Sequence, residues 1–283
     1  MFRKLSSSWE LIQASARVLR ADKELLLFPI VSTIGVIIIS ILFFVPIAVT
    51  GVLTSAFFQE ASFLTFIPII VFYVAQYCVI FFANTALVGA ALIRLRGGDP
   101  TLADGFRIAA SRFFPILGYA LIAATVGIIL KAISERSKGL SSIVASLVGM
   151  AWNIGTYLVV PILAVENVGP IDAIRRSVEL LKKTWGEQLA GNLGLGLFTS
   201  FVAAGLIILS IAFTFLAFAM EFPIWLIILG LISFFIALLL LALVSATLTG
   251  IYTAAVYQYA ADGQLEGFFD PELIQAAFVN TRR

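Results

Sequence analysis

Long apolar runs alternate with short polar connectors along this chain, and six of the runs are long enough to cross a bilayer. They cover about residues 25–50, 64–93, 114–130, 142–165, 188–220 and 223–260, against roughly 20 apolar residues for one transmembrane helix. Pro29 and Pro115 open the first and third runs, where a missing backbone N–H costs least. Pro161 lies inside the fourth and predicts a kink there. The last two runs are outsized: at about 1.5 Å per residue each reaches roughly 50 Å. They must tilt, kink or project beyond a hydrocarbon layer of about 30 Å. Gly191, Gly194 and Gly196 supply a flexible point in the fifth run.

The connectors have a pattern of their own. Residues 2–23 read as an amphipathic helix whose stripe is Leu5, Trp9, Ile12, Ala16 and Leu19. Such a helix lies in the headgroup region or packs on the rest of the protein. A second follows Gly98-Asp99-Pro100, with Leu102, Phe106, Ala109 and Phe113 on one face. A third, from Pro170, carries Ile171, Ile174, Val178, Leu181 and Trp185. There Asp172–Arg176 and Glu179–Lys183 stand four apart, the spacing of helical ion pairs. Asp270-Pro271 starts a last amphipathic segment bearing Leu273, Ile274, Ala277 and Phe278.

Each unit therefore reads as amphipathic helix, span, short loop, span. The predicted fold is all-α: a single membrane domain over 1–283, built as three parallel hairpin repeats at about 2–97, 98–168 and 169–262, with a tail at 263–283. The second spans end in comparable text: Asn84-Thr85-Ala86-Leu87, Asn153-Ile154-Gly155-Thr156 and Thr247-Leu248-Thr249-Gly250.

Charge sets the orientation. Fifteen Lys and Arg fall on the side of the amphipathic helices and three (Lys131, Arg136, Lys138) on the other. Basic residues stay on the cytoplasmic side, so both termini are expected there. Thirteen acids share that side, so it is a mixed surface rather than a polybasic patch, which argues against nucleic-acid binding. Arg3 and Lys4 precede apolar sequence as in a signal peptide, yet a charged amphipathic stretch intervenes. The first run is read as an uncleaved span.

Composition narrows the chemistry. The chain is 61% hydrophobic and 12% charged, has no histidine, and has one cysteine, Cys78, inside a span. The commonest general base and metal ligand are absent, and Cys78 reads as a small core hydrophobe. The middles of the spans hold no Asp, Glu, Lys or Arg, and such residues mark most proton and ion pathways. No catalytic residue, metal site or cofactor is expected. Glu166 comes closest, within reach of Arg175 or Arg176.

The words Asp22-Lys23-Glu24-Leu25-Leu26, Phe28-Pro29, Gly98-Asp99-Pro100-Thr101-Leu102, Asp104-Gly105 and the ending around Tyr252, Tyr257-Gln258-Tyr259, Gly263, Gly267-Phe268 and Asp270-Pro271-Glu272 carry a resemblance. The chain resembles an uncharacterised family of six-helix bacterial and archaeal membrane proteins, a domain of unknown function. More distantly it is similar to the membrane domain fused to some glycerophosphodiester phosphodiesterases. The resemblance implies a fold and a prokaryotic plasma membrane, with no activity, since the phosphodiesterase barrel is absent.

Candidate sites are then polar groups in the spans and basic groups beside them. Asn84, Thr85, Asn153, Thr156, Thr247 and Thr249 either ring a common axis and bind a small solute or join neighbouring helices by hydrogen bonds. Gln76 reads as the latter. Arg94, Arg96, Arg107, Arg175 and Arg176 face the interface. Two functions follow. One is a non-enzymatic accessory or scaffold protein that contacts lipid headgroups, a protein partner or a second copy. The other is a carrier or channel for a lipid or small amphiphile, with a cavity lined by Asn84, Asn153 and Thr247.

Overall fold

The computed structural model describes residues 2–50, 67–136, 140–183 and 188–263. The loop bearing Glu60, together with Lys138, Trp185 and the tail segment from Asp270, lies outside the described residues, as do the side chains of Leu5 and Trp9. Every regular element among the described residues is helical. Six helices are long and apolar enough to cross a membrane.

Helix α1 (Phe2–Ala21) leads through a tight turn, Lys23–Leu26, into α2 (Leu27–Thr50). Helix α3 (Ile67–Leu95) returns beside α2. The short α4 (Leu102–Ser111) precedes α5 (Phe113–Arg136), which pairs with α6 (Leu140–Gly155); α7 (Val159–Val165) continues the α6 span. Then α8 (Pro170–Lys183) precedes the long hairpin of α9 (Gln188–Ala219) and α10 (Ile224–Asp262). Helix α9 runs unbroken through Gly191, Gly194 and Gly196, so no hinge forms there. Pro161 does break its span: α6 stops at Gly155, and the helix resumes at Val159 with Pro161 in its first turn.

Helix α3 sits at the centre, packed against α2, α4, α5, α7 and α10. The connecting helices gather at the end of the bundle that holds Arg94, Glu166 and Asp262, here called the charged end. Nearly all of the core lies there. The side chains Val18, Leu25, Phe28, Leu87, Ile116, Leu158, Leu180 and Ile251 are each at most 1% exposed and come from six helices, the turn after α1 and the turn before α7. Each contributes about 1.5–3 kcal/mol on leaving water.

The connecting helices bury faces displaced from the predicted stripes. Helix α8 buries Ala173, Ser177, Leu180 and Leu181, while Ile171 is 57% exposed. Among the described side chains its ion pairs are Asp172–Arg175 and Arg176–Glu179, three apart, in place of the expected Asp172–Arg176, while the Lys183 side chain lies outside the described residues. Helix α1 buries Ile12, Ala14, Ser15 and Val18. It is wedged on α9 and α10, so small residues rather than the largest apolar ones face inward.

The local rules behind α4 are explicit. Thr101 caps it: its hydroxyl accepts from the Asp104 N–H at 3.2 Å, and its own N–H donates to Asp104 Oδ2 at 3.0 Å. Glu24 Oε2 accepts from the Leu102 N–H at 3.2 Å, tying the turn after α1 to this helix. Gly105 lets α4 lie directly on α3, because a Cβ there would stand 2.8 Å from the Ala86 carbonyl oxygen and 2.5 Å from the Phe28 ring. Phe28 and Phe106 close the contact with ring centroids 5.2 Å apart.

Candidate functional site

A cleft of about 620 Å³ opens where three second spans meet. Helix α3 supplies Asn84 and Val88, and α10 supplies Ala242, Ser245, Ala246, Thr249, Gly250 and Thr253. The broken span supplies Tyr157 and Val160, and α9 supplies Thr199. Asn84 lies ten residues before Arg94, roughly 15 Å from the charged end by helical rise, hence near mid-depth in a hydrocarbon layer of about 30 Å.

Tyr157 reaches the cleft because its helix is interrupted. Thr156, Tyr157 and Leu158 form a turn between α6 and α7, and Pro161 has no N–H to offer the Tyr157 carbonyl. The Leu158 N–H, freed by the break and sealed from water, donates to Ser177 Oγ of α8 at 3.1 Å. A connecting helix at the charged end thus holds the turn that carries Tyr157. Two polar pairs in the cleft are closed on themselves. The Thr199 and Ser245 hydroxyls meet at 2.9 Å, and the Thr253 hydroxyl contacts Tyr157 Oη at 3.3 Å while donating to the Thr249 carbonyl at 2.7 Å. The Asn84 amide and the Thr249 hydroxyl have no hydrogen-bond partner among the described residues, and both line the cleft.

The other polar residues singled out in the spans do not join them. Thr247 is fully buried and donates to the Leu243 carbonyl at 2.9 Å. Thr156 donates to Trp152 at 2.8 Å, and Thr85 is sealed in the core with no partner. Asn153 is exposed on α6, outside the cleft. The ring expected from Asn84, Asn153 and Thr247 is therefore not formed, since helical phase turns two of the three away. Gln76 joins helices as expected, donating to Ser40 Oγ at 2.9 Å.

The interfacial arginines are paired within the protein. Arg94 donates to Asp99 at 2.9 Å and to the Gly98 and Ala21 carbonyls at 3.2 Å. Arg96 meets Asp262 at 3.8 Å, and Arg107 meets Asp104 at 3.4 Å. Arg176 bridges Glu166 at 3.4 Å and Glu179 at 3.6 Å, and Tyr257 Oη donates to the same Glu166 at 3.1 Å. Arg175 meets Asp172 at 3.6 Å. Nearby, burial pushes the Asp22 carboxyl above its ordinary value, against the opposing pull of the Glu24 N–H and the Arg94 charge. The Thr101 hydroxyl and N–H hold the Asp104 carboxyl below its ordinary value. Among the described residues no group of three His, Cys, Asp or Glu side chains is placed to hold a metal ion.

These contacts account for the words that carried the resemblance. The Asp22–Pro29, Gly98–Gly105 and Tyr252–Gly263 segments meet at the charged end through Glu24, Arg94, Arg96, Phe28 and Asp262. The family described as "Family of unknown function (DUF6159)" matches residues 61–268. The chain belongs to that family. No curated protein matches it, so the more distant likeness to a phosphodiesterase membrane domain rests on sequence words alone. Sequence reading missed Tyr157, Thr199, Ser245, Thr253 and Ser177. Ser245, Thr249 and Thr253 stand four apart on one face of α10, a signal that was available. Nothing in the sequence marked Ser177 or Thr199.

Proposed function

We propose that this protein is a non-enzymatic, multi-pass membrane protein that takes a lipid or small amphiphile into the cleft at the centre of its spans, as a carrier or binding component. The observation that carries the reading is the cleft itself, a 620 Å³ space at mid-depth walled by α3, α7, α9 and α10. It presents an unpartnered amide and hydroxyl in otherwise apolar surroundings, the composition of a small-molecule site. Three parallel repeats support it further. Helix α4 packs on the hairpin before it, α8 does the same, and α1 packs on the last hairpin, closing the circle. The three second spans α3, α7 and α10 are then equivalent and enclose the cleft. The fifteen-to-three bias of basic residues supports a cytoplasmic side for both termini and the charged end, and the membrane proposed is a prokaryotic plasma membrane. The test is extraction from native membrane in mild detergent followed by native mass spectrometry. A bound amphiphile of constant mass, lost on Ala246→Phe, is expected; the same lipid content in both forms would overturn the reading.

One observation favours the accessory or scaffold reading beside it. Asn153 is exposed near the middle of its span and has no partner among the described residues, and an amide facing lipid is costly unless a neighbouring helix meets it. Asn153→Cys should then give a disulfide-linked homodimer or a cross-link to a partner. A monomer under oxidising conditions in the membrane would remove this reading.

A further inference from the structure

We infer that the cleft selects a single-chain amphiphile with an uncharged, hydrogen-bonding head; this rests on the carrier reading above and sharpens it. Three features of the wall set the class. First, none of the eleven lining residues is Asp, Glu, Lys or Arg. A phosphate or carboxylate head would enter a low-dielectric site with no cation among its described residues to meet it, and a quaternary amine would find no anion among them, so either charge is disfavoured. Second, the two groups left free are Asn84 and Thr249. A primary amide and a hydroxyl each donate and accept, so the matching head also does both: a polyol, a hydroxyl or an amide. The other hydroxyls of the wall are engaged with one another, which limits the polar spot to a small head.

Third, size and shape limit the tail. At about 30 Å³ per water-sized group, 620 Å³ holds about twenty such groups. One acyl chain with a small head, about twenty-five non-hydrogen atoms for a monooleoylglycerol, fills the space with the end of its tail in the opening, and a two-chain lipid of about forty-four overfills it twofold. Ala242, Ala246 and Gly250 stand four apart along α10, and the two alanines are exposed. Leu87 already fills the space beside Gly250, but the two exposed alanines leave a trough from the polar spot to the lipid-facing surface, along which one chain lies and enters.

The experiment uses the full chain in phosphatidylcholine nanodiscs and three labelled probes: monooleoylglycerol, oleoyl lysophosphatidate and dioleoylglycerol. Monooleoylglycerol should bind saturably, at least tenfold tighter than either of the others. Asn84→Leu with Thr249→Val should weaken it at least tenfold while leaving the unfolding midpoint in place. Ala246→Phe, on the exposed wall, should block it. Equal binding of the lysophosphatidate overturns the uncharged head, and equal binding of dioleoylglycerol overturns the single chain. In both cases sensitivity to Ala246→Phe leaves the carrier reading standing. Saturable binding untouched by Ala246→Phe, or no saturable binding of any probe, overturns both.

Discussion

The two halves of α10 differ in burial in the opposite sense to their hydrophobicity. Between Ile251 and Tyr257 every residue is at most 8% exposed. Toward the other end Ile224, Trp225, Ile228, Leu229, Ile232 and Phe235 are 49–69% exposed. The exposed end is the more apolar one, rich in Leu, Ile and Phe, while the buried end carries Thr, Tyr, Gln and Ala, so hydrophobicity alone does not decide burial. At the charged end water competes for the chain, and apolar faces must find each other. Within the hydrocarbon, lipid tails solvate Ile and Phe as well as a neighbouring helix does, so only close packing and polar bonds hold helices together. The spans beyond the core are held that way, by Gln76 to Ser40 and by Thr199 to Ser245.

Substitutions that strike each half in the same way test this contrast. Phe28→Ala at the charged end should cost about 3–5 kcal/mol, read as a large fall in the unfolding midpoint in detergent. Phe215→Ala, 77% exposed in the other half, should stay within about 0.5 kcal/mol. Equal losses would dissolve the distinction. Gly105→Ala drives a methyl into the α3 backbone and should cost about 1–3 kcal/mol. Gly205→Ala, with open space around its Cβ, should be neutral or slightly stabilising. Ser177→Ala leaves the Leu158 N–H buried and unpaired, an expected loss of about 1–3 kcal/mol. The same variant should weaken amphiphile binding, because the turn that presents Tyr157 loosens.

The smallest effects are in pH dependence, and they have opposite signs. The Asp104 carboxyl is held below the ordinary value of 3.8. Its contribution is present above that pH and is lost as pH falls through the lower folded value. Thr101→Ala should therefore flatten the acid side of the stability curve. The Asp22 carboxyl is held above 3.8 by burial, so its charged form weakens the fold and stability falls as pH rises through the raised value. Asp22→Asn should raise the unfolding midpoint near neutral pH, with the gain fading on acidification. A gain of the same size at pH 4 and pH 7 would contradict the assignment.

The six spans and the prolines that open two of them were legible in the residues, because each depends on local chemistry: apolar length and a missing N–H. So was the charge bias between the two sides. The phase of each helix was not. The stripe read for α8 ran through Ile171 and Ile174, while the buried line runs through Ala173 and Ser177, since close packing admits small side chains and leaves large ones to lipid. Asn84 and Asn153 looked equivalent, yet one lines the cleft and the other faces outward, because helix rotation is set by neighbours far along the chain. By itself the sequence determined which segments are helical and apolar and which carry charge, since both follow from single residues and near neighbours. Only the tertiary structure decided which polar groups stay free, because a hydroxyl's partner depends on what stands opposite it. Thr247 bonds the Leu243 carbonyl of its own helix, and Thr249, two residues on, lines the cleft with no hydroxyl partner among the described residues.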